Sequence, residues 1–233
     1  MIKDKTLDLI KGDENDFRKL FSVCVCKPYA YQRRFIDYIG AYKKWNTNVK
    51  EGILTLDDKK YNVEYIGTTS KSDNFWYSAE REHTIPDEYI KLTMEARKKM
   101  EALHIDGFSD GKIELDNEGG INGYDISMIY MAFAPENTAY FNGSGDTSIY
   151  MYVKDLPEQI FQRVISVEYP NIIMEIISTF DVDHKLVVKA LANEFDYDYT
   201  ENGEEISVKF SEKAHLDFQF KNGCIEEITG EIC

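Results

Sequence analysis

The stretch that decides the fold runs from Trp45 to Arg81 and reads WNTNVKEGILTLDDKKYNVEYIGTTSKSDNFWYSAER. Its segments are rich in β-branched and aromatic residues, which favour strands over helices. Turn-forming residues at Gly52, at Asp57-Asp58 and from Ser70 to Asp73 separate the segments. The stretch therefore predicts a four-stranded antiparallel meander.

Three consecutive aromatic residues, Phe75, Trp76 and Tyr77, stand in the last of these segments. Successive side chains of a strand point to opposite faces, so Trp76 faces one side and its two neighbours face the other. The run indicates either a strand covered on both faces or one buried face and one aromatic-lined concavity for a ligand. We expect ordinary burial, with Trp45 and Trp76 in the core and Gly67 at a bend or bulge between the third and fourth strands.

Helical patterns stand on both sides of this stretch. Residues 13–26 and 28–44 predict two helices, and Pro28 suits the first turn of the second one. Residues 86–105 predict a further helix that Pro86 starts at a permitted position. The spacing of apolar residues gives each of the last two helices a face for the core. These residues are Phe35, Ile36, Ile39 and Tyr42 in the first and Tyr89, Leu92, Met100 and Leu103 in the second.

The middle of the chain contains the clearest hairpin pattern. Residues 138–153 place two aromatic, strand-favouring arms around the tip Asn142 to Asp146. The preceding apolar run of residues 126–134 fits a buried helix or a buried strand, because short apolar runs do not distinguish the two. Asp155 and Pro157 predict the start of another helix, which Pro170 ends or restarts.

The last third predicts a helix over residues 183–195 followed by four strands. Asn202-Gly203 and Asn222-Gly223 predict type I′ hairpin turns, which need positive φ at both central residues. Because a helix also precedes the first meander, a diverged internal repeat is one interpretation. We predict an α+β fold in which antiparallel sheet meanders pack against helices. The length suits a single compact unit, residues 1–233, with 1–103 and 104–233 as sub-halves.

The charge is unevenly distributed along the chain. The net charge is −15; residues 1–103 hold 19 basic and 17 acidic groups, and residues 104–233 hold 8 and 25. Nucleic-acid binding is not expected, because an acidic surface repels phosphates. A basic protein is the partner that this charge favours, although acidic surfaces also serve solubility.

Neither a targeting segment nor a membrane-spanning segment is visible in the sequence, which predicts a cytoplasmic protein without membrane contact. The four cysteines are Cys24, Cys26, Cys224 and Cys233. A Cys-x-Cys pair without a second pair or a nearby histidine is a weak zinc pattern. We expect buried thiols, no metal and no cofactor; the oligomeric state stays open.

No motif in the sequence assembles a catalytic centre. His83, His104, His184 and His215 stand outside any metalloprotease or deaminase spacing. Asp183 before His184 fits a helix N-cap better than half of a catalytic dyad. We therefore predict no catalytic residue and expect the protein not to be an enzyme. If a ligand binds, the candidate contacts are Trp76, Tyr65, Tyr77, His83 and His184.

Several of these segments also carry a family pattern. Trp45, Gly52 to Leu54, Ile66 to Thr68, Phe75 to Ala79 and Ile85-Pro86 follow the order W…G-x-L-x-F, L-G-[TS], T-W-x-W-A and a proline-started helix. The pattern continues at residues 180–195 with a segment that resembles F-x-V-D-H-R-x-A-L. A hairpin segment that contains a glycine follows at residues 220–230.

From about Gln32 to the C-terminus, the chain thus resembles an uncharacterised bacterial family of unknown function. It departs from the pattern at Tyr77, near the second Trp position, at Lys185, where Arg is usual, and at Cys224-Ile225, where Arg-Leu is common. The resemblance implies kinship and no particular activity.

Two functions of different classes remain at this point. The first is a non-catalytic acidic binding protein, such as an inhibitor or an immunity-like protein, for a basic protein partner. The alternative is a small-molecule-binding or hydrolytic domain with an aromatic-lined pocket. A deep cavity lined by Trp76, Tyr65 or Tyr77 with a convergent histidine or carboxylate would favour the pocket. A filled interior and a flat acidic surface would favour the binding protein.

Overall fold

The computed structural model describes residues 1–116, 120–135 and 137–232. Their contacts form two compact units, one of Tyr31–Phe161 together with Met1, and one of Ile2–Ala30 with Gln162–Cys233. Each unit has its own antiparallel sheet and helices, so the predicted α+β class is confirmed.

The first unit contains the predicted meander. Its strands pair in chain order, each antiparallel to the next, so the prediction is confirmed. The strands are β1 (Trp45–Asn48), β2 (Ile53–Leu56), β3 (Lys59–Ser70) and β4 (Phe75–Ser78).

Three more strands complete this sheet, and three helices contribute to the unit. Strand β5 (Lys112–Glu114) pairs with β4, and the predicted hairpin of β6 (Ala139–Gly143) and β7 (Thr147–Val153) is added to β3 through β7. The apolar run that the sequence left open is a helix. The helices are α3 (Cys26–Ile39), of which residues from Tyr31 onward belong here, α4 (Lys91–Ala102) and α5 (Gly123–Ala132).

Trp76 lies at the centre of the first unit. Its side chain is fully buried, its ring stacks on Tyr130 of α5 at a centroid distance of 5.2 Å, and its Nε1 donates to Ser127 Oγ at 3.1 Å. The ring also lies directly on the backbone of Gly67, where an added Cβ would overlap the indole. Glycine is therefore required in β3 by this close approach.

The predicted bulge at Gly67 is confirmed, but its place differs. The register of β3 against β7 shifts between Tyr65 and Gly67, so the irregularity lies inside β3 rather than between the third and fourth strands. The prediction that Trp45 is largely buried is wrong. Trp45 is only partly buried, because it lies on β1 at the sheet edge and covers Phe141 and Gly143 from one side.

The buried face of α3 is narrower than the sequence predicts. Phe35 and Ile39 are buried, whereas Ile36 is 52% and Tyr42 40% exposed. Ile36 follows Phe35 by one residue and so points about 100° away from it around the helix. Tyr42 lies beyond the end of α3 at Ile39.

Helix α4 begins later than predicted, and of its predicted apolar face Met100 is fully buried. Pro86 precedes a short 3-10 turn, and the α-helix begins at Lys91, where the Leu92 N–H donates to the buried carboxylate of Glu64 at 2.8 Å. The buried positions are Thr93, Ala96 and Met100, while the expected Leu103 is 42% exposed.

The second unit is a helix-covered four-stranded meander in the order β11-β10-β9-β8. Its strands are β8 (Asp198–Asn202), β9 (Glu205–Lys209), β10 (His215–Lys221) and β11 (Cys224–Glu231). Its helices are α1 (Asp4–Leu7), α2 (Phe17–Cys24), the first turns of α3, α6 (Tyr169–Thr179) and α7 (His184–Glu194). The predicted helix and four strands of the last third are confirmed, and α7 packs on the inner face of the sheet.

Of four local predictions after residue 154, two are wrong and two are right. Asp155 and Pro157 lead only into a 3-10 turn, Glu158–Phe161, and Pro170 stands in the first turn of α6, so it starts a helix. Asn222 and Gly223 both have positive φ, as a type I′ turn requires. Asn202 instead pairs with Glu205, so the other turn is Gly203-Glu204 and only Gly203 has positive φ.

The cysteines were predicted to be buried thiols. This is right for Cys24 and Cys26, and burial raises the pKa of both thiols above the usual range. It is wrong for Cys224, which is exposed at the start of the edge strand β11, and Cys233 lies outside the described residues. No helix in the described ranges combines the length and apolar character that crossing a bilayer requires.

A buried ion pair joins helices of the second unit. The Lys27 Nζ at the start of α3 lies 2.5 Å from a carboxylate oxygen of Glu194 at the end of α7, and both side chains are almost completely buried. The other oxygen of Glu194 accepts from Thr6 Oγ1 at 2.6 Å and from the Lys3 N–H at 2.9 Å. The N-terminal segment is thereby fixed to α7.

We expect Trp76→Ala to lower the free energy of unfolding by about 3–5 kcal/mol, the range for removing a large buried side chain. Phe75→Ala, on the half-exposed face of the same strand, is the control and should cost much less. Denaturant unfolding at constant pH measures both. A loss below about 1 kcal/mol for Trp76→Ala would contradict this account of the core.

Lys27→Met should cost about 3–5 kcal/mol, because it leaves the Glu194 carboxylate buried without its counter-charge. Adding Glu194→Gln in the same chain should recover part of that loss, since the buried charge is then gone. Denaturant melts of the single and double variants measure the difference. Equal stability of the single and double variants would show that the pair is not the source of the loss.

Candidate functional site

The residues proposed from sequence as ligand contacts do not form one site. Trp76 is enclosed as described, and Tyr65 is 1% exposed, with its hydroxyl 2.6 Å from Thr47 Oγ1. Tyr77 points to the opposite face of β4 from Trp76, where its hydroxyl donates to Asp73 at 2.9 Å. Lys112 crosses this face with its Nζ 3.7 Å from the ring centroid of Phe75.

The two candidate histidines lie in different units. His83 is exposed in the connection after β4. His184 is the first residue of α7, and its Nδ1 accepts a hydrogen bond from the Ile225 N–H at 3.1 Å. Burial lowers the pKa of His184, which favours this neutral acceptor. Asp183 accepts from the Leu186 N–H at 3.0 Å, so the predicted N-cap role is confirmed.

A cluster that sequence reasoning missed lies between the β6–β7 hairpin and α5. One face of the hairpin carries apolar residues for the core, and the other face carries three tyrosines and an asparagine. These four residues are Tyr140, Asn142, Tyr150 and Tyr152. The N-terminal end of α5 covers this face, with Gly123 directly against the Tyr150 hydroxyl and the Tyr124 ring edge-on to Tyr140 at 5.1 Å.

Three polar atoms in this cluster are buried without a hydrogen-bond partner. They are Asp125 Oδ1, Tyr140 Oη and Asn142 Oδ1. The residues Asp125 and Tyr140 are themselves only 7% and 0% exposed. Neighbouring groups do have partners, since Tyr150 Oη lies 3.0 Å from Thr69 Oγ1 and Tyr124 Oη donates to Gln32 Oε1 at 2.5 Å. Buried polar atoms without partners are uncommon in native proteins and call for an explanation.

Asp125 is the one charged residue of α5, and its environment disfavours ionisation. Burial raises its pKa from 3.8 to about 6, although hydrogen bonds from the backbone and side chain of Asn122 act in the opposite direction. Asn122 in turn caps the helix, because its Oδ1 accepts from the N–H groups of Tyr124 and Asp125 at 2.9 and 3.1 Å. The two residues form a capping box that also fixes the Asp125 carboxylate.

The Asp125 carboxylate lies close to the hairpin tyrosines. Burial raises the pKa of Tyr140 and of Tyr150, and the negative charge of Asp125 adds to both shifts. We call Asp125, Tyr140, Asn142 and Tyr150 the Asp125 cluster. It offers hydrogen-bond acceptors and aromatic rings but no cation, which suits a ligand that donates hydrogen bonds.

A weak signal for this cluster was present in the sequence. The segment GYDISMIYMA places a single carboxylate in an otherwise uncharged and mostly apolar helix. The cluster was missed because Asp125 meets Tyr140 and Asn142 only through tertiary packing.

The second unit presents a different surface. The side of its sheet that faces away from α7 consists of twelve paired positions in three cross-strand rows, all polar and none fully buried. We call this the outer face. Its rows are Asp198–Lys209–His215–Glu231, Thr200–Ser207–Asp217–Thr229 and Asn202–Glu205–Gln219–Glu227.

A shallow cavity of about 310 Å³ opens at one end of the outer face, lined in part by Asp198, Ser207, Glu212 and His215. Beside it, Ser207 Oγ donates to Asp217, whose other oxygen lies 3.4 Å from His215 Nε2. A hydrolytic triad needs the histidine between serine and carboxylate, so that it removes the hydroxyl proton. Here the carboxylate stands between them, and Ser207 is not activated by a histidine.

Within the described ranges, no group of three or more His, Cys, Asp or Glu side chains is arranged to hold a metal ion.

Comparison with known proteins places the chain in a family. Residues 18–156 match the sequence profile of a family of unknown function, DUF6882, and the chain belongs to that family. The resemblance to an uncharacterised family is thus confirmed over those residues. No curated protein and no solved structure shows significant similarity to the chain. The matched range contains the Asp125 cluster, whereas the outer face lies after it in the chain.

Asp125→Asn should stabilise the protein in a pH-dependent way. The pKa of Asp125 is higher in the folded protein than in the unfolded chain, so the folded state holds the extra proton between about pH 4 and 6. The stability of the parent protein therefore falls as pH rises through this window, while the variant lacks that loss. Above about pH 6 the variant should be more stable by roughly 2–3 kcal/mol.

Denaturant unfolding at several pH values measures this difference, and Asp37→Asn on the exposed side of α3 is the matched control. The control shows how much of the difference comes from removing one exposed carboxylate. A pH-independent difference for Asp125→Asn would show that the buried carboxylate ionises without cost.

Proposed function

We propose that the protein is a non-catalytic acidic binding protein, inhibitor-like or immunity-like, that binds a basic protein through the outer face. The observation that carries the proposal is the charge of this face. Its twelve polar positions include five carboxylates and one lysine. The carboxylates are Asp198, Glu205, Asp217, Glu227 and Glu231.

The outer face combines charge with fixed geometry. Gln219 donates to Glu205 and Ser207 donates to Asp217, so two of the five carboxylates are held in place by cross-strand partners. A rigid sheet that presents fixed carboxylates loses little side-chain entropy when a partner binds. Charge complementarity of this kind speeds association and excludes acidic partners. A protein surface rich in Lys and Arg fits such a face.

The charge of the chain supports the same partner class. Residues 104–233, which include the whole outer face, carry 8 basic and 25 acidic groups. The resulting field attracts a basic protein before contact is made. We place this interaction in the cytoplasm, a proposal supported by the free thiols of Cys24 and Cys26.

We propose a protein without catalytic activity because of the hydrogen bonding of Ser207. Its hydroxyl donates to Asp217 rather than to His215, and this group lies on an open face. The alternative of a small-molecule-binding protein gains support from the Asp125 cluster in the first unit. That cluster suggests a separate ligand site and gives no reason to assign hydrolysis.

The test uses two variants with equal changes in charge. The first carries Asp198→Asn, Glu227→Gln and Glu231→Gln on the outer face; the second carries Asp37→Asn, Glu51→Gln and Glu88→Gln at exposed positions of the first unit. Within the described residues, these six side chains form no hydrogen bond and no ion pair. Affinity capture followed by mass spectrometry identifies the partner, which is then purified for titration.

A specific partner should be basic and should bind the outer-face variant at least about tenfold more weakly than the parent, because each exposed charge pair contributes up to about 1 kcal/mol. The control variant should bind within about twofold of the parent. Binding should also weaken from about 50 to 500 mM salt as screening increases. Equal affinities of the two variants, or a partner that is not basic, would contradict the proposal.

A further inference from the structure

We propose that the Asp125 cluster binds the primary ammonium group of a small amine. This inference concerns the first unit and is independent of the outer face. It is built from the three unpartnered acceptor atoms, the unpaired carboxylate and the surrounding rings. Each of these features separately restricts the chemistry of the ligand.

The acceptor atoms set the first restriction. Asp125 Oδ1, Tyr140 Oη and Asn142 Oδ1 are buried and lack partners. Tyr140 and Asn142 are two residues apart on β6 and so share the hairpin face that α5 covers. A primary ammonium group has three N–H donors and no acceptor. Its three N–H donors equal in number the three unpartnered oxygens, each of which can accept a hydrogen bond.

The charge sets the second restriction. Asp125 is only 7% exposed, and it takes part in no ion pair within the described ranges. A buried carboxylate without a counter-charge costs free energy when ionised. A bound cation would remove this cost, whereas an anion would increase it. The N-terminal N–H groups of Tyr124 and Asp125, which would otherwise attract an anion, already donate to Asn122.

The aromatic rings favour an organic cation. The Tyr124 ring meets Tyr140 edge-on, and Tyr140 stacks on Tyr150 with centroids 6.4 Å apart. Aromatic rings attract ammonium groups through their electron-rich faces. A hard metal cation would need six or more oxygen ligands, usually with several carboxylates, and the cluster has one.

The rim of the cluster limits the size of the ligand. Gln32, Thr69, Tyr124 and Asn142 border the buried atoms and are half-buried. Gly123 is packed against the Tyr150 hydroxyl and Thr69, which leaves no room for a bulky group at that side. A small amine with a short carbon chain fits these limits better than a large one.

Methylammonium chloride is the probe, and tetramethylammonium chloride and potassium chloride at equal ionic strength are the controls. Tetramethylammonium has the charge without N–H donors, and potassium has neither donors nor carbon. Binding is measured by calorimetric titration and by the shift of the thermal midpoint at about pH 8, where Asp125 is ionised. The facing groups do not titrate there, because Tyr140 and Tyr150 have raised pKa values and Asn122, Gln32 and Thr69 are neutral.

Methylammonium should bind and stabilise the parent protein, while the two control cations should not. Asp125→Asn should weaken binding about 10- to 100-fold, as expected for a hydrogen bond between charged groups. Tyr140→Phe should weaken it about 3- to 10-fold and should fold normally, because it removes a hydroxyl that has no partner. Tyr140→Phe therefore provides a second test that leaves the Asp125 carboxylate unchanged.

Asp37→Asn removes an exposed carboxylate outside the cluster and should bind methylammonium as the parent does. Three results would overturn the proposal. The first is no response to methylammonium, and the second is an equal response to potassium or tetramethylammonium. The third is unchanged binding in both Asp125→Asn and Tyr140→Phe. None of these results depends on whether a basic protein binds the outer face.

Discussion

The close packing of the Trp76 ring on the backbone of Gly67 is the constraint on which the first unit depends. Because Gly67 has no side chain, the indole packs closely on β3, and its Nε1 donates to Ser127 of α5. Tyr130, one turn further along the same helix, stacks on the ring. The position of α5 over the sheet is therefore set by one tryptophan, and the Asp125 cluster at the start of α5 follows from it.

The same arrangement forces polar groups into the interior. Once α5 covers the hairpin, Asp125 and Tyr140 are enclosed, and some of their polar atoms find no partner. A sequence selected for stability alone would place apolar side chains at such positions, because unsatisfied buried groups destabilise the fold. Local departures of this kind are typical of functional sites. The raised pKa of Asp125 is the measurable sign of that cost.

The sheets of the two units differ in which faces are covered by other elements. In the first unit, the hairpin is covered on both faces, so its apolar residues and its tyrosines are both enclosed. In the second unit, α7 covers one face and leaves the outer face to solvent, so β9 and β10 alternate between buried apolar and more exposed polar residues. An enclosed polar cluster suits a small ligand, and an open charged face suits a protein. The two proposals therefore do not compete for the same residues.

The sequence by itself determined both meanders, the β6–β7 hairpin and the Asp183 cap, because turn residues and alternating side chains act over a few positions. Only the tertiary structure decided that residues 126–132 are helical, that Ile36 is exposed and that Asp125 is buried. The outer face was implicit in the alternation of β9 and β10, but its rows depend on strand register. Burial and unpaired polar atoms depend on which distant segment packs on a residue, and local sequence does not specify that segment.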